Sequence, residues 1–575
     1  MALRAWEGRA GRGACLAVLL AAPALGQHLP PLPGLIERLS PAEPPALSPR
    51  ALPPEPERIS GAGESRRVAL GAVRVEGATA LRPVPDVPPG ATVTLAEIET
   101  ARLGVLRAYR EAGFPYVAVA AVLAPRAGAA PDLVFRVTEG VISAVTLEGE
   151  GIGPVAARLR GMLEPLIGQR PLSNAALERA LLLAGDLPGV DARGVLRPEG
   201  GPGELRLIVQ VARRPVTGLF NLDNRGFART GAWQGLLNLG VNSLTRFGER
   251  TELALVGTDG AGQGFAQVTH EVVISGAGTR LRAYLGAGRA TPGSPLAAIG
   301  YVGETRVAGM ALTHPLIRSR PLNLTLLAAL DAFESTVEAR DAPGLARTRQ
   351  SHDAVRALRF GFEASALDGA LGFAPAAGIT TGTLRLHRGL EAFGASDGDS
   401  GRTSRRGSDF GFTKVTAEVT RLQPLLVPAE GWLLATQGVL AGQWSDDVLP
   451  PAERFFLGGN RLGRGFYTGQ VTGDRALAAS GELQLGRQFD LALGADALRL
   501  GTQFYLFRDE GRGADNGPGG VMRRLASYGG GVRVQFDERV QLDLELARRM
   551  TRNPEGVGVT RLDADAVFAR VLLRF

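Results

Sequence analysis

From Val216 to the C-terminus, apolar and polar residues alternate with period two in segments of roughly ten residues, the signature of strands with two unlike faces. Trp233, Gly235, Leu237, Leu239 and Val241 alternate with Gln234, Leu236, Asn238, Gly240 and Asn242. Leu281, Ala283, Leu285 and Ala287 alternate with Arg280, Arg282, Tyr284 and Gly286. Val540, Leu542, Leu544 and Leu546 alternate with Gln541, Asp543, Glu545 and Ala547. One face suits lipid and the other water. At about 22 residues per strand plus connection, residues 215–575 predict an antiparallel transmembrane β-barrel of about 16 strands. Closure would satisfy every backbone hydrogen bond in lipid, which an open sheet could not do. A soluble all-β protein with one wet face would produce the same alternation in any one segment, but the length of the run favours the barrel. Val571, Leu573 and Phe575 share one face of a last strand, opposite Arg570 and Arg574. The stretches Ser396 to Phe410 and Glu510 to Gly520 are polar and predict long, mobile loops.

Before residue 215 the period changes to that of small α+β units. Val68 to Val75 predicts a strand ending at Glu76-Gly77. Thr94 and Glu97 form a capping box for a helix marked by Leu95, Ile98, Val105, Leu106 and Tyr109. Tyr116 to Leu123 and Leu133 to Val137 predict two more strands, and Glu139-Gly140 closes the unit. The order then recurs with one extra helix, each unit taking about 75 residues. Val141 to Leu147 is a strand, and Val155, Leu159, Leu163 and Leu166 mark a helix. Ser173 opens another with Leu177, Leu181 and Leu182. Ala192 to Leu196 and Leu205 to Val211 are strands. The predicted units are 66–140 and 141–214.

Residues 1–26 predict a secretory signal, with Arg4, Arg9 and Arg12 ahead of a short apolar core and Ala24-Leu25-Gly26 at the cleavage end. The single cysteine, Cys15, lies inside it, so the mature chain offers no disulfide, thiolate or Cys-based zinc chemistry. Residues 27–65 are proline-rich from Pro30 to Pro56 and predict an extended linker. Its only helical candidate, 34–39, is barely a turn and a half. No apolar run reaches the length of about 18 residues that a membrane helix needs. Net charge is +7, and Lys414 is the only lysine among 64 basic residues. The arginines are scattered rather than clustered, which argues against nucleic-acid binding.

No enzyme chemistry is legible. Gly394-Ala395-Ser396-Asp397-Gly398 matches a nucleophile elbow, but borders a polar loop instead of a strand and a helix. His28, His270, His314, His352 and His387 show no metal-ligand spacing. Neither cofactor nor metal is expected. Gly458 to Gly465 lacks the Lys-Ser/Thr of a phosphate loop.

The stretch Phe455-Phe456-Leu457-Gly458-Gly459-Asn460-Arg461-Leu462-Gly463-Arg464-Gly465-Phe466 stands apart from the alternation. Glycines at 458, 459, 463 and 465 permit a narrow hairpin that presents Arg464. Read alone, it also fits a glycine-rich turn beside a surface arginine. It resembles the Arg-Gly-aromatic loop of the two-partner secretion outer-membrane transporters, of the hemolysin or hemagglutinin exporter type. Phe507-Arg508-Asp509-Glu510-Gly511 resembles that family's Phe-x-Asp-x-Gly motif, and the paired α+β units resemble POTRA domains. Leu187-Pro188-Gly189-Val190 after a leucine-rich helix matches the second POTRA unit. The chain departs from the family at Gly463, where an apolar residue is usual. The resemblance implies that loop six, at about 445–477, folds into the barrel and is locked by Arg464, Gly465, Phe466 and Asp509, turning at Gly458 and Gly459. It also implies that Phe575 is a signal read by the barrel-assembly machinery. The implied partners are a secreted exoprotein, that machinery and outer-membrane lipid, with the POTRA units in the periplasm of a Gram-negative cell. The alternatives are an assembly factor for other outer-membrane proteins, which usually carries three or more such units, and a plain diffusion channel. The units could also be packing modules without a ligand.

Overall fold

The structure is a computed structural model. It describes residue 40 and residues 64–575 apart from 227–229, 294–296, 341–344, 370, 372–373, 399–401, 494–495, 518 and 556–560. The expected signal, the helical candidate at 34–39 and nearly all of the proline-rich linker lie outside the described residues.

The first small domain contains β1 (Arg67–Ala69), β2 (Val73–Glu76), β3 (Thr92–Thr94), α1 (Leu95–Glu111), β4 (Val117–Arg126) and β5 (Ala129–Glu139). Its main sheet runs β2-β5-β4, with β2 parallel and β4 antiparallel to β5. Thr94 caps α1 reciprocally with Glu97. Ile98, Ala101, Val105 and Tyr109 bury against Val119, Leu133, Phe135 and Val137. The single strand expected over 68–75 is two strands. At Gly71 the chain leaves its pairing with β3 and joins β5, the Gly71 amide donating to the Pro131 carbonyl at 2.8 Å. A Cβ there would lie 2.9 Å from the Ala130 carbonyl oxygen, so only glycine lets the backbones approach.

The second domain contains β6 (Val141–Glu148), α2 (Gly153–Leu163), α3 (Asn174–Gly185), β7 (Val190–Pro198) and β8 (Glu204–Arg213), with sheet order β6-β8-β7. Gly140 alone separates it from the first. The joint is stiffened by Gly140 N–H to the Tyr116 carbonyl at 2.8 Å and by Leu172 N–H to the Gly140 carbonyl at 2.8 Å.

Next come β9 (Val216–Asp223), β10 (Gln234–Asn242), β11 (Arg250–Thr258), β12 (Gln263–Val273), β13 (Arg280–Ala290), β14 (Val302–Arg318), β15 (Leu322–Arg340), β16 (Arg347–Asp368), β17 (Gly378–Gly389), β18 (Thr413–Leu426) and β19 (Trp432–Ser445). A short hairpin follows, β20 (Phe455–Leu457) with β21 (Val471–Gly473). The chain ends with β22 (Arg475–Leu493), β23 (Asp496–Ala514), β24 (Met522–Phe536), β25 (Val540–Arg549) and β26 (Asp565–Arg574). All but the hairpin close into one antiparallel barrel of sixteen strands, β26 pairing with β9.

The barrel inverts the burial of a soluble protein. Leu542, Leu544 and Leu546 of β25 are exposed outward, while Gln541 and Glu545 are buried inward. Trp432 and Trp444 end one outward face of β19. At about 3.4 Å per residue and a tilt of about 40°, they stand roughly 30 Å apart along the membrane normal, a bilayer core's thickness. Strands of ten residues were expected, yet β14 has 17 and β16 has 22. The excess lies beyond the lipid band, where outward positions turn to Glu304, Arg306, Arg347 and Arg349; alternation of apolar residues registers only the lipid-facing part.

The two polar stretches are also less free than expected. Residues 510–514 belong to β23. Residues 396–398 and 402–410 fold over the barrel mouth, where Phe410 and Phe412 bury with Val355 and Leu449. Ser404 bonds Asp353 through its backbone N–H at 2.9 Å. Ser396 in that stretch accepts from Ala354 N–H at 2.8 Å and donates to the His352 carbonyl, so its hydroxyl is a structural tie.

Candidate functional site: a glycine finger in the barrel lumen

The connection from β19 to β22 does not project away from the barrel. It turns inward as the β20–β21 hairpin, with Phe455, Phe456 and Leu457 paired to Gly473, Thr472 and Val471. Leu457 and Phe466 are fully buried with Val471, Ala478 and Leu525. At the tip, Gly458 has φ 101°, Gly459 117° and Gly463 83°, backbone conformations that L side chains resist. Gly458 N–H donates to the Leu462 carbonyl at 2.9 Å, and Gly459 N–H to the Phe466 carbonyl at 3.2 Å, closing a compact finger.

Arg464 emerges from this tip and is 4% exposed. Its Nε and Nη2 donate to Asp509 Oδ2 and Oδ1 at 3.1 and 2.9 Å. The backbone N–H groups of Gly463 and Arg464 donate to the same carboxylate at 3.1 and 2.7 Å. Asp509, on β23, is wholly buried, and Ser480 on β22 bridges it to Arg464. Nη1 meets Glu482 of β22, and the guanidinium lies 3.9 Å from the Phe507 ring centroid. Gly465 fits because a Cβ there would come 2.6 Å from the Ser527 Cβ, and its N–H donates to the Ser527 hydroxyl at 3.2 Å. The four residues grouped by resemblance therefore stand together in space, with Gly458 and Gly459 at the turn behind them.

Sequence reading missed most of the surrounding network. Glu482 is also held by Arg533 at 2.6 and 3.0 Å. Arg225, just after β9, donates to the Arg464 carbonyl and reaches Glu545 of β25 at 2.6 Å. Arg549 donates to the Gly465 carbonyl at 2.5 Å. Arg461 pairs with Glu418 on β18, and the Thr468 hydroxyl accepts from Gln234 on β10 at 3.2 Å, eight strands around the barrel, so the finger crosses the lumen. Its base is fastened separately. Glu453 is buried, gripped by Arg359 at 2.8 and 3.1 Å and by Lys414 at 2.8 Å. Asp474, fully buried, takes both Arg405 nitrogens at 2.6 and 2.7 Å. The available signal was Lys414, a lone lysine in a chain that otherwise uses arginine. Its compact ammonium fits between the Glu453 carboxylate and carbonyl, where a planar fork would not.

The second domain docks on the barrel's near rim through the stretch Asp186 to Gly189. Arg318 makes two bonds of 2.7 Å to Asp186, and the Ser243 hydroxyl donates to the Pro188 carbonyl at 2.6 Å. Leu187 is buried, and Gly189 has φ 68° with Asn242 against it. Val273 of the rim joins the domain's own core. Phe575 lies past the end of β26. It exchanges N–H···O bonds with Gly218 at 3.0 and 2.6 Å, its ring on the outer face. Among the described residues no three His, Cys, Asp or Glu side chains form a metal-binding group.

Residues 367–534, which include the finger and Asp509, match the family "Haemolysin secretion/activation protein ShlB/FhaC/HecB". The heme/hemopexin transporter protein HuxB of Haemophilus influenzae is 24% identical over 249 residues, 41% of this chain and 42% of that protein. The match thus spans less than half the length of that relative. Among solved structures, CdiB from Escherichia coli superposes with a TM-score of 0.68 at 17% identity, covering 92% of this chain and 94% of that one. CdiB from Acinetobacter baumannii gives 0.59 at 16% identity, covering 92% and 95%. Their fold, small domains and barrel together, is this chain's fold.

Proposed function

We propose that this chain exports an unfolded secreted polypeptide across the outer membrane of a Gram-negative cell. Residues 66–140 and 141–214 act as periplasmic POTRA domains that capture the client, and the barrel passes it outward. The supporting observation is the inward-folded finger, whose Arg464 is pinned to Asp509 inside a sixteen-stranded wall. A plain diffusion channel has no need of a buried cation at the tip of a loop that crosses its lumen. Each small sheet leaves two strands unpaired on one side, β2 and β4 in the first and β6 and β7 in the second. An extended client adds to such an edge through main-chain hydrogen bonds, which ask little of its sequence. Transport on this reading makes and breaks no covalent bond, so it calls for neither a catalytic group nor a cofactor.

The experiment is co-expression with any large secreted protein found encoded beside it, scoring that protein in the medium. Arg464→Ala leaves two buried carboxylates short of their partner, a loss of about 3–5 kcal/mol where water stays out. The expected result is an assembled barrel with export cut severely. Normal export by the variant removes the finger from the mechanism. Defects in the insertion of other barrel proteins upon deletion of the chain would instead favour an assembly factor.

A further inference from the structure

The outer wall carries a second feature with no part in the lumen. Strand tilt lets residue heights be compared around the barrel. At a tilt of about 40°, ladder partners on successive strands differ in height by about 3 Å, and one residue along a strand is worth about 2.6 Å. The ladder from Trp444 runs through Val415, Leu386, Phe360, Ala328 and Leu312 to Leu281, beside the rim that meets the second small domain. Restoring the lost height on each strand leads to Arg388 on β17, Arg356 on β16, Glu334 on β15, Arg306 on β14 and Arg289 on β13. All five have the outward parity of their strands. They form one arc level with Trp444, at the edge of the lipid band away from the POTRA-like domains. Glu334 is taken by Arg356 at 2.6 Å, and Arg388 bonds the Thr413 hydroxyl at 2.6 Å. Glu304 lies one step further out, across from Arg289. Arg306 faces Glu334 and Arg289 faces Glu304 across the ladder, but neither arginine makes a side-chain hydrogen bond or ion pair among the described residues. Directly beneath Arg306 the wall sinks into a trough of about 550 Å³ walled by Leu285, Ala287, Ala308 and Ala332.

We propose that the arc Arg289–Arg306–Arg356–Arg388 binds the phosphates of a phosphorylated glycolipid of the outer leaflet, with an acyl chain lying in the trough below Arg306. Guanidinium forks match phosphate oxygens in pairs, and an arginine at a membrane surface gains from anionic headgroups. Four arginines against two glutamates leave the arc positive, and the two unpartnered ones stand over the apolar trough. An uncharged headgroup would leave them unmatched, and a zwitterionic one would bring its own cation beside them. The proposal rests on the orientation given under Proposed function, with the POTRA domains in the periplasm.

The test is native mass spectrometry of the full-length protein in detergent. The probes are bis-phosphorylated lipid A, its dephosphorylated form and dioleoyl phosphatidylglycerol. The wild type is expected to bind bis-phosphorylated lipid A more tightly than either other lipid. The Arg289→Gln/Arg306→Gln double variant should lose that preference by about tenfold or more. Arg126→Gln, in the first small domain, should keep it. Neither Arg289 nor Arg306 supports another described side chain, so the barrel should fold, and its heat-modifiable migration on gels reports that directly. Equal binding of phosphorylated and dephosphorylated lipid A overturns the proposal, as does a double variant with unchanged preference. Orientation is read separately by labelling Ala392→Cys in whole cells with an impermeant maleimide. Absence of labelling in folded protein overturns the orientation, and with it this proposal; labelling without lipid preference overturns the lipid site alone.

Discussion

Gly463 stands where the family that the chain resembles carries an apolar residue, and Leu525 accounts for the exchange. With φ at 83°, a Cβ on residue 463 would lie 2.7 Å from Leu525 Cδ1. Leu525 of β24 fills the space beside the tip instead, packed with Leu457 and Phe466. Gly463→Val is therefore expected to lift the finger tip and weaken the Arg464–Asp509 contact, seen as lower export and faster proteolysis of loop six. Adding Leu525→Ala should restore part of the loss but not all, since about 1–2 kcal/mol of backbone strain remains at a left-handed residue. If Leu525→Ala restores nothing, the crowding explanation fails. At this scale the sequence was legible where resemblance named a residue, as with Arg464 and Asp509, whose motifs keep their spacing. Glu482 and Glu545 were not, because each occupies an ordinary inward position of an alternating strand. Only strand pairing reveals that such a position faces a loop tip rather than water.

Among the elements, the helix starts marked by Thr94 and Ser173 were legible, because capping and helical spacing are local signals. The Thr94–Glu97 box and the Ser173 cap sit where the pattern put them. What escaped was long-range. Glu139 ends β5 and is buried, yet accepts from Thr79 N–H at 2.8 Å, Ala80 N–H at 3.2 Å and the Tyr109 hydroxyl at 2.7 Å, with the Thr79 hydroxyl as a fourth donor. Burial alone would raise its pKa, but these bonds outweigh burial and hold it below the usual carboxylate value. A depressed folded value means that its stabilisation is complete above the unfolded pKa of about 4.3 and fades as pH falls through the folded value. Glu139→Gln turns an amide NH₂ toward donors and should cost about 1–3 kcal/mol at neutral pH. Hydrogen exchange of residues 64–140 in the full-length protein should show that gap, and show it closing in acid. A gap that persists unchanged below pH 3 would mean that the carboxylate charge is not its source. The Leu-Pro-Gly-Val stretch was legible as a motif but not as a joint, since Ser243, which bonds Pro188, and Arg318, which bonds the preceding Asp186, lie far along the chain at the barrel rim. The Asp186–Arg318 pair ties the second domain to the barrel. Asp186→Arg should loosen it, read as new proteolysis near residue 214, and Arg318→Asp in the same chain should tighten it again.

For the whole molecule, the count of sixteen strands was legible from length because each strand of a closed barrel needs a similar stretch of chain. The quality of the closure was not. β26 and β9 share five register pairs, Arg570 with Asp223 through Arg574 with Leu219, whereas β22 and β23 share nineteen. The last strand compensates at its end. Phe575 adds two backbone bonds to Gly218, and its ring fills the space over that glycine, where a Cβ would meet ring carbons at 2.2 Å. The terminal aromatic therefore has two candidate roles, a clasp on a short seam and a signal to the barrel-assembly machinery, and they separate experimentally. Gly218→Leu leaves the C-terminal sequence intact but evicts the ring. Deleting Phe575 removes both the ring and the sequence. If the clasp matters, both variants should yield less heat-modifiable barrel, and both should leak small solutes through a loosened seam. If only the signal matters, Gly218→Leu should assemble as the wild type while the deletion accumulates unfolded chain in the periplasm. The short ladder favours the first outcome, because with five pairs two added bonds are a large share of what holds the wall shut.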